Sequence, residues 1–119
     1  MESLATILPF FRDVLGMPEV EMSDSDGARI AAVQSGESLI EFLEPESPDT
    51  PIGKYLAKRG VGIHHICVAV ADIDQTMDEC RAAGIELIDR TARMGAEGKR
   101  IAFLHPRSTG GILVELSEQ

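Results

Sequence analysis

The residues of this sequence best suited to chemistry are two adjacent histidines and one glutamate in an apolar strand. His64 and His65 lie near the start of the run Gly62 to Val70, which reads as a buried strand rich in β-branched residues. Successive strand residues point to opposite faces, so one of the two imidazoles can enter a given pocket. Glu115 lies inside a second apolar strand, Ile112 to Leu116. A metal ion held jointly with a histidine would compensate the cost of placing a carboxylate there.

Length and composition predict one globular domain that needs no disulfide or metal to complete its core. The chain has 119 residues, of which 44% are hydrophobic. Its net charge of -9 argues against nucleic acid and anionic membrane surfaces as partners, although it allows an anionic small molecule at a local basic patch. Without a basic signal-peptide region or a long apolar run, the chain is expected to be cytoplasmic. Cys67 and Cys80 are expected to be buried, reduced thiols.

The spacing of apolar residues predicts two similar series of elements on either side of the proline-rich linker 45–51. Before the linker we expect a helix over 3–15, kinked or delayed by Pro9, and strands over 17–22, 28–34 and 38–44. A short helix over 51–58 follows the linker. After the histidine strand we expect a helix over 73–83 capped by Asp72, strands over 85–88, 99–104 and 112–116, and a loop over 93–98.

The two series form an internal repeat. The second reads strand, helix, strand, strand, strand, and the first is the same unit without its first strand. We therefore divide one domain, residues 1–119, into unit one (1–44), a linker with a short helix (45–60) and unit two (61–119). Ile40-Glu41-Phe42 aligns with Val114-Glu115-Leu116, whereas His65 has no counterpart. The missing strand leaves a sheet edge that another chain could cover, so we expect a homodimer.

Six stretches of the sequence, taken in order, carry a family resemblance. They are Phe11 to Met17, Ile40 to Pro45, Ser47 to Ile52, Gly62 to Ile66, Lys99 to Pro106 and Gly110 to Leu116. Together they resemble the vicinal oxygen chelate superfamily (glyoxalase, bleomycin resistance and dioxygenase proteins) and, within it, the methylmalonyl-CoA epimerases. The resemblance implies an α+β fold in which paired βαβββ units form a cupped mixed sheet around a divalent metal, with the first unit here lacking its N-terminal strand.

The resemblance also implies roles for individual residues. The metal, Co²⁺ in the first instance with Mn²⁺ or Zn²⁺ as alternatives, would be held by His65, Glu115 and Glu41. Glu41 and Glu115 would also be the catalytic carboxylates, and the sequence does not separate base from ligand. For the phosphates of a CoA group the local candidates are Lys99, Arg100, Arg107, Ser108 and Thr109, any of which could equally be ordinary surface residues.

The activity implied is that of a metal-dependent epimerase, which interconverts (R)- and (S)-methylmalonyl-CoA by removing the proton next to the thioester. Its partner would be an acyl-CoA substrate. Two alternatives remain. One is a non-catalytic or truncated binding module, which the missing first histidine favours because it removes a metal ligand. The other is a glyoxalase-like lyase acting on a glutathione hemithioacetal.

Overall fold

The structure is a computed structural model that describes residues 3–95 and 97–119. These residues form two compact units, Met1–Gly62 and Ile63–Gln119. Each combines helices with a β-sheet, which confirms the predicted α+β class. The first unit contains α1 (Leu4–Pro9), a π-helical segment (Phe10–Val14), β1 (Glu19–Val20), β2 (Ala28–Ser35), β3 (Ser38–Pro45) and α2 (Pro51–Arg59). The second contains β4 (Ile66–Val70), α3 (Ile73–Ala82), β5 (Arg93–Met94), β6 (Arg100–Leu104), a 3₁₀ turn (Pro106–Ser108) and β7 (Val114–Glu118).

The sheet of the first unit has three antiparallel strands in the order β1-β2-β3. Strands β2 and β3 pair along their whole length around a turn at Gly36, where a φ of +60° favours glycine. Phe42 of β3 is buried and packs on Phe11 of the π-helical segment, with 4.9 Å between ring centroids. One face of the sheet therefore carries the helical segment, and strand alternation places Glu41 on the other face.

The predicted first helix changes character at Pro9. It begins at Leu4 and continues as a π-helix from Phe10, where the Leu15 N–H donates to the Phe10 carbonyl. Proline has no N–H and cannot donate within an α-helix, so a wider turn close to it is a physically reasonable outcome. The strand predicted over 17–22 is reduced to the two residues of β1.

The sheet of the second unit has four strands in the order β4-β7-β6-β5. Strand β4 runs parallel to β7, and the other neighbours are antiparallel. Helix α3 covers one face, and its buried side chains join the core of this unit. That core is formed by Ile73, Met77, Ala102, Leu104 and Leu116. The alternate residues of the same strands, among them Phe103 and Glu115, point to the face opposite α3.

Two predictions for the second unit are wrong. The segment 85–88 is not a strand, since only Leu87 forms an isolated bridge, to Leu104. Next to it the side chain of Asp89 accepts the Phe103 N–H at 2.8 Å, a bond that a neighbouring strand would otherwise make. The outer strand is instead β5, in the segment that the sequence predicts to be a loop.

The histidine strand also differs from its prediction. Strand β4 begins at Ile66, after both histidines, and its first four residues are exposed rather than buried. It lies at the edge of its sheet and pairs with β7 on one side. A continuous apolar run is typical of a strand buried on both faces, whereas consecutive residues of β4, which point to opposite faces, are exposed. Within the residues described, no helix is long and apolar enough to cross a membrane.

Helix α3 begins as predicted at Asp72, whose side chain accepts the Gln75 N–H at 3.0 Å. We expect Asp72→Ala to lower the free energy of unfolding by about 1 kcal/mol, because it leaves a helix-terminal N–H without its acceptor. Urea denaturation measures the change. Asp72→Asn keeps an oxygen acceptor and should lose much less; an equal loss in both variants would mean that charge, rather than capping, is responsible.

Candidate functional site

The parallel pairing of β4 with β7 brings the predicted site residues of the second unit together. Cys67 lies opposite Glu115 in the register of these strands. His65, two residues before Cys67, belongs by strand alternation to the same face. His65 and Glu115 are therefore neighbours on the sheet face opposite α3, although 50 residues separate them in the sequence.

Nε2 of His65 lies 3.6 Å from Oε1 of Glu115, and both side chains are largely buried, with 15% and 16% exposed. The separation is too long for a hydrogen bond. Two ligands of one divalent ion, each about 2.1 Å from the metal, stand roughly 3 to 3.5 Å apart. An imidazole nitrogen and a carboxylate oxygen are also ligands that Zn²⁺ and similar ions accept. The pair thus fits two positions of a metal coordination shell.

His64 supports His65 from the side. Their Nδ1 atoms are 2.9 Å apart, so one ring donates to the other. Burial lowers the pKa of His64, and burial together with the neighbouring His64 lowers the pKa of His65 to about 4. His65 is therefore neutral at pH 7 and its contact with Glu115 is not an ion pair. When Nδ1 of His65 carries the proton and donates to His64, Nε2 has a lone pair available for a metal.

Cys67 is a member of the site that the sequence analysis missed. Its thiol donates to Oε2 of Glu115 at 3.0 Å. The residue is exposed, so the prediction of a buried thiol is wrong, while both cysteines are free as expected. The contact orients the carboxylate, with its other oxygen towards His65. The i, i+2 spacing of His65 and Cys67 in the predicted strand 62–70 was the signal that could have identified it.

Phe103 and Arg93 extend the same face across β6 and β5. The Phe103 ring meets the His65 ring edge to face at 5.5 Å between centroids, and the Arg93 guanidinium lies 5.6 Å from the centroid of the Phe103 ring. Asp89 accepts from Arg93 Nε at 3.3 Å with one oxygen and from the Phe103 backbone with the other. One carboxylate thus fixes both the strand that carries Phe103 and the arginine beside it.

Glu41 belongs to the first unit, where it lies half-buried opposite Ala32 in the middle of β3. It follows the rule that holds for Glu115 in the second unit. Each glutamate lies on the strand that comes last along the chain in its sheet, on the face opposite the helical segment of that unit. The aligned triplets Ile40-Glu41-Phe42 and Val114-Glu115-Leu116 therefore have the same orientation within their units.

The residues suggested for phosphate binding lie outside the His65–Glu115 pair. Arg107 makes a two-pronged contact with Glu86, at 2.7 and 3.0 Å, which lowers the pKa of that carboxyl. Ser108 accepts the Glu86 N–H at 3.0 Å, and Lys99 is exposed. Arg100 binds both carboxylate oxygens of Asp74 on α3. A phosphate would have to compete with Glu86 for Arg107, and these assignments remain predictions.

The described part of the second unit brings two candidate metal ligands together, His65 and Glu115. Over residues 3–95 and 97–119, no group of three or more His, Cys, Asp or Glu side chains is arranged to hold an ion. The pair of His65 and Glu115 is therefore where a metal site would be built.

The lowered pKa of His65 predicts a pH-dependent stability for the metal-free protein. An unfolded imidazole takes up a proton near pH 6.5, whereas folded His65 does so near 4. Between these values the unfolded state binds the additional proton. We therefore expect the free energy of unfolding to fall by up to about 1.4 kcal/mol per pH unit as the pH is lowered from about 6.5 to 4.

Urea denaturation in the presence of a chelator, repeated across this pH range, measures the effect. The His65→Gln variant lacks the titrating ring, so its stability should decline less steeply than that of the unsubstituted protein. Parallel curves for the two proteins would contradict the assignment of the effect to His65.

Comparison with known families agrees with this architecture. Residues 1–103 match the Glyoxalase/Bleomycin resistance protein/Dioxygenase superfamily. The chain belongs to this superfamily. Its relatives within the superfamily include proteins named methylmalonyl-CoA epimerase, the group that the sequence resembles.

Two relatives and one solved structure describe the similarity. The mitochondrial methylmalonyl-CoA epimerase of Mus musculus is 37% identical over 112 residues, which cover 92% of this chain and 63% of the mouse enzyme. An ethylmalonyl-CoA/methylmalonyl-CoA epimerase of Cereibacter sphaeroides is 35% identical over 106 residues, 87% of this chain and 78% of that protein. A variant of the Streptomyces coelicolor methylmalonyl-CoA epimerase in complex with 2-nitronate-propionyl-CoA superposes with a TM-score of 0.92 at 31% identity, covering 99% of this chain and 88% of that one. The chain thus spans less than two thirds of the mouse enzyme.

Proposed function

We propose that this protein is a metal-dependent epimerase that interconverts (R)- and (S)-methylmalonyl-CoA. The observation that carries the proposal is the facing of His65 Nε2 and Glu115 Oε1 at 3.6 Å, in a largely buried position on the open face of the sheet. The names of the mouse and C. sphaeroides relatives support the choice of reaction.

Epimerisation removes a weakly acidic proton next to a thioester and returns it from the opposite side. A carboxylate can accept such a proton when its surroundings exclude water and its orientation is fixed. Glu115 meets both conditions, because its side chain is only 16% exposed and Cys67 holds one of its oxygens. In this proposal Glu115 takes or returns the proton at C2 of the substrate.

A divalent metal, Co²⁺ first and Mn²⁺ or Zn²⁺ as alternatives, would be held by His65, Glu115 and Glu41. When bound, it supplies the positive charge that an enolate oxygen needs as the proton leaves. His65 contributes a neutral nitrogen, which its lowered pKa keeps available above about pH 5. His64 fixes the orientation of that ring through the Nδ1 contact.

Glu41 is proposed as the second carboxylate of the reaction. Inverting a carbon centre requires proton transfer at both of its faces, and one carboxylate on each side achieves this. The support is the equivalent placement of Glu41 and Glu115, each on the face of its own sheet away from the helical segment. Either residue can act as ligand, base or both in turn.

The acyl-CoA substrate and the homodimer are further parts of the proposal. Lys99, Arg107 and Ser108 remain the candidates for the CoA phosphates. Support for a dimer comes from β3, which among the described residues pairs with β2 alone, in a sheet whose strand order is β1-β2-β3. Such an edge invites another strand.

Exchange of the C2 proton with solvent tests the function directly. Purified protein is incubated with methylmalonyl-CoA in D₂O, and the methyl doublet is followed by proton NMR as it collapses to a singlet. We expect exchange that depends on added Co²⁺, Mn²⁺ or Zn²⁺ and stops with a chelator. Absence of exchange with every metal would overturn the proposal.

A non-catalytic binding module is the second candidate, because the described residues provide a pair of metal ligands rather than three. It predicts binding of methylmalonyl-CoA without exchange. Calorimetric titration of the same samples separates the two functions. A glyoxalase-like lyase would instead consume the hemithioacetal of methylglyoxal and glutathione, which an absorbance assay detects.

A further inference from the structure

Helix α2 bears three positive charges that have no acidic partner among the residues described. Within residues 3–95 and 97–119, ion pairs engage six of the chain's eleven lysines and arginines, namely Arg12, Arg29, Arg81, Arg93, Arg100 and Arg107. Three of the other five are Lys54, Lys58 and Arg59, all exposed on α2. The sequence has no aspartate or glutamate from Thr50 to Ala71. In a chain with a net charge of -9, this helix is therefore a local basic patch.

The buried side of α2 fixes the direction in which this patch points. Ile52 and Gly53 are buried. Gly53 packs so closely on the preceding segment that a Cβ atom there would lie 2.3 Å from the Ser47 carbonyl oxygen. At 3.6 residues per turn, Lys54 and Lys58 fall on the side away from Ile52, and both are exposed. The helix is thus held by one side and presents the two lysines on the other.

The spacing of the two lysines suits an anion. Lys54 and Lys58 are one helical turn apart, which places their Cβ atoms about 5 to 6 Å from each other. Like charges at this spacing destabilise a helix, and an anion that contacts both ammonium groups removes the repulsion. Lysine binds phosphate as a point charge, and its long, flexible side chain lets two ammonium groups converge on one phosphate. The pair therefore favours a phosphate as its ligand.

We propose that Lys54 and Lys58 bind a phosphate group of the CoA part of the substrate. The inference rests on the proposed function, because an acyl-CoA carries a diphosphate and a 3′-phosphate, and it adds a binding site in the first unit. Arg107, the arginine among the earlier candidates, would first have to leave Glu86, to which it makes two bonds. The two lysines offer their charges without competition from an acidic side chain in the described part of the chain.

Calorimetric titration of the purified protein with CoA and with 3′-dephospho-CoA tests the proposal. The double variant Lys54→Gln, Lys58→Gln keeps good helix-forming residues and loses both charges. We expect it to bind CoA about 5- to 25-fold more weakly, the effect of losing two exposed charge pairs. Replacing both lysines by arginine keeps the charges and should retain most of the affinity. The matched double variant Arg12→Gln, Arg90→Gln removes the same charge from other exposed positions and should stay within about twofold of the unsubstituted protein.

The two ligands identify the phosphate. A loss for CoA alone assigns the lysines to the 3′-phosphate, and a loss for both ligands assigns them to the diphosphate. Unchanged CoA affinity in the lysine-to-glutamine variant would overturn the inference, as would an equal loss in the matched variant, since general charge repulsion would then explain the effect. Failure of the unsubstituted protein to bind CoA would overturn it too. Circular dichroism confirms that each variant is folded.

Exchange of the C2 proton separates this inference from the proposed function. The lysine-to-glutamine variant should raise the KM for methylmalonyl-CoA by about the same factor as it weakens CoA binding. Exchange with an unchanged KM would remove the phosphate site and leave the function standing. Absence of exchange in the unsubstituted protein would remove the function, while calorimetry would still show whether the two lysines bind a phosphate.

Discussion

Glu115→Gln is expected to slow exchange of the C2 proton by about 10²- to 10⁴-fold, the range typical of losing a positioned acid or base. The amide has nearly the same shape as the carboxylate, and its oxygen can still accept from Cys67. What disappears is the negative charge that, in the proposed mechanism, accepts the proton and attracts a cation. Deuterium incorporation at C2, followed by NMR with saturating methylmalonyl-CoA, measures the change.

The same variant separates the two roles of Glu115. Retained Co²⁺ affinity with lost exchange would identify a base, and loss of both would identify a ligand. Glu79→Gln is the matched control, because Glu79 is an exposed residue of α3 that contacts Gln75. Exchange by Glu115→Gln at the unsubstituted rate would remove Glu115 from the reaction altogether.

His65→Ala is expected to weaken Co²⁺ binding by more than about 100-fold. The nitrogen that faces Glu115 is lost, whereas changes to groups that only orient a ligand typically cost about 10- to 100-fold. His64→Ala should fall within that smaller range, because His64 contacts Nδ1 of His65 rather than the carboxylate. Calorimetry and the visible absorption of bound Co²⁺ report both effects.

A third histidine provides the control for this series. His105 accepts the Arg107 N–H at the start of the 3₁₀ turn, and His105→Asn keeps an acceptor there. Its Co²⁺ affinity should be unchanged. A larger loss in His64→Ala than in His65→Ala would reverse the assignment of ligand and supporting residue.

The sequence was sufficient for the elements that depend on local chemistry. Asp72 caps α3 through a side-chain oxygen and α2 begins at Pro51, both as predicted. The repeat and the family resemblance together predicted the α+β class. What it could not give was the register of distant strands. His65 and Glu115 meet because β4 runs parallel to β7. The repeat and the family resemblance, rather than a local pattern, predicted that these two residues lie together.

The errors have physical causes in competing interactions. Segment 85–88 has strand-forming residues, but Asp89 takes the Phe103 N–H with its side chain and the outer strand forms at Arg93 instead. The sequence analysis placed Arg93 in a glycine-containing loop, so it missed the position of Arg93 in β5 beside Phe103. Pro9 was expected either to kink the first helix or to delay its start, whereas the structure shows a π-helix directly after Pro9.

The double use of Asp89 makes position 89 difficult to vary. Asparagine could keep the bond to the Phe103 N–H but would lose the charge that holds Arg93, and glutamate would carry the charge on a longer arm that no longer fits the backbone contact. A saturation library at this position should therefore return few functional sequences. Natural drift at residue 89 would be constrained in the same way, because Arg93 and the Phe103 N–H each depend on a different oxygen of this one carboxylate.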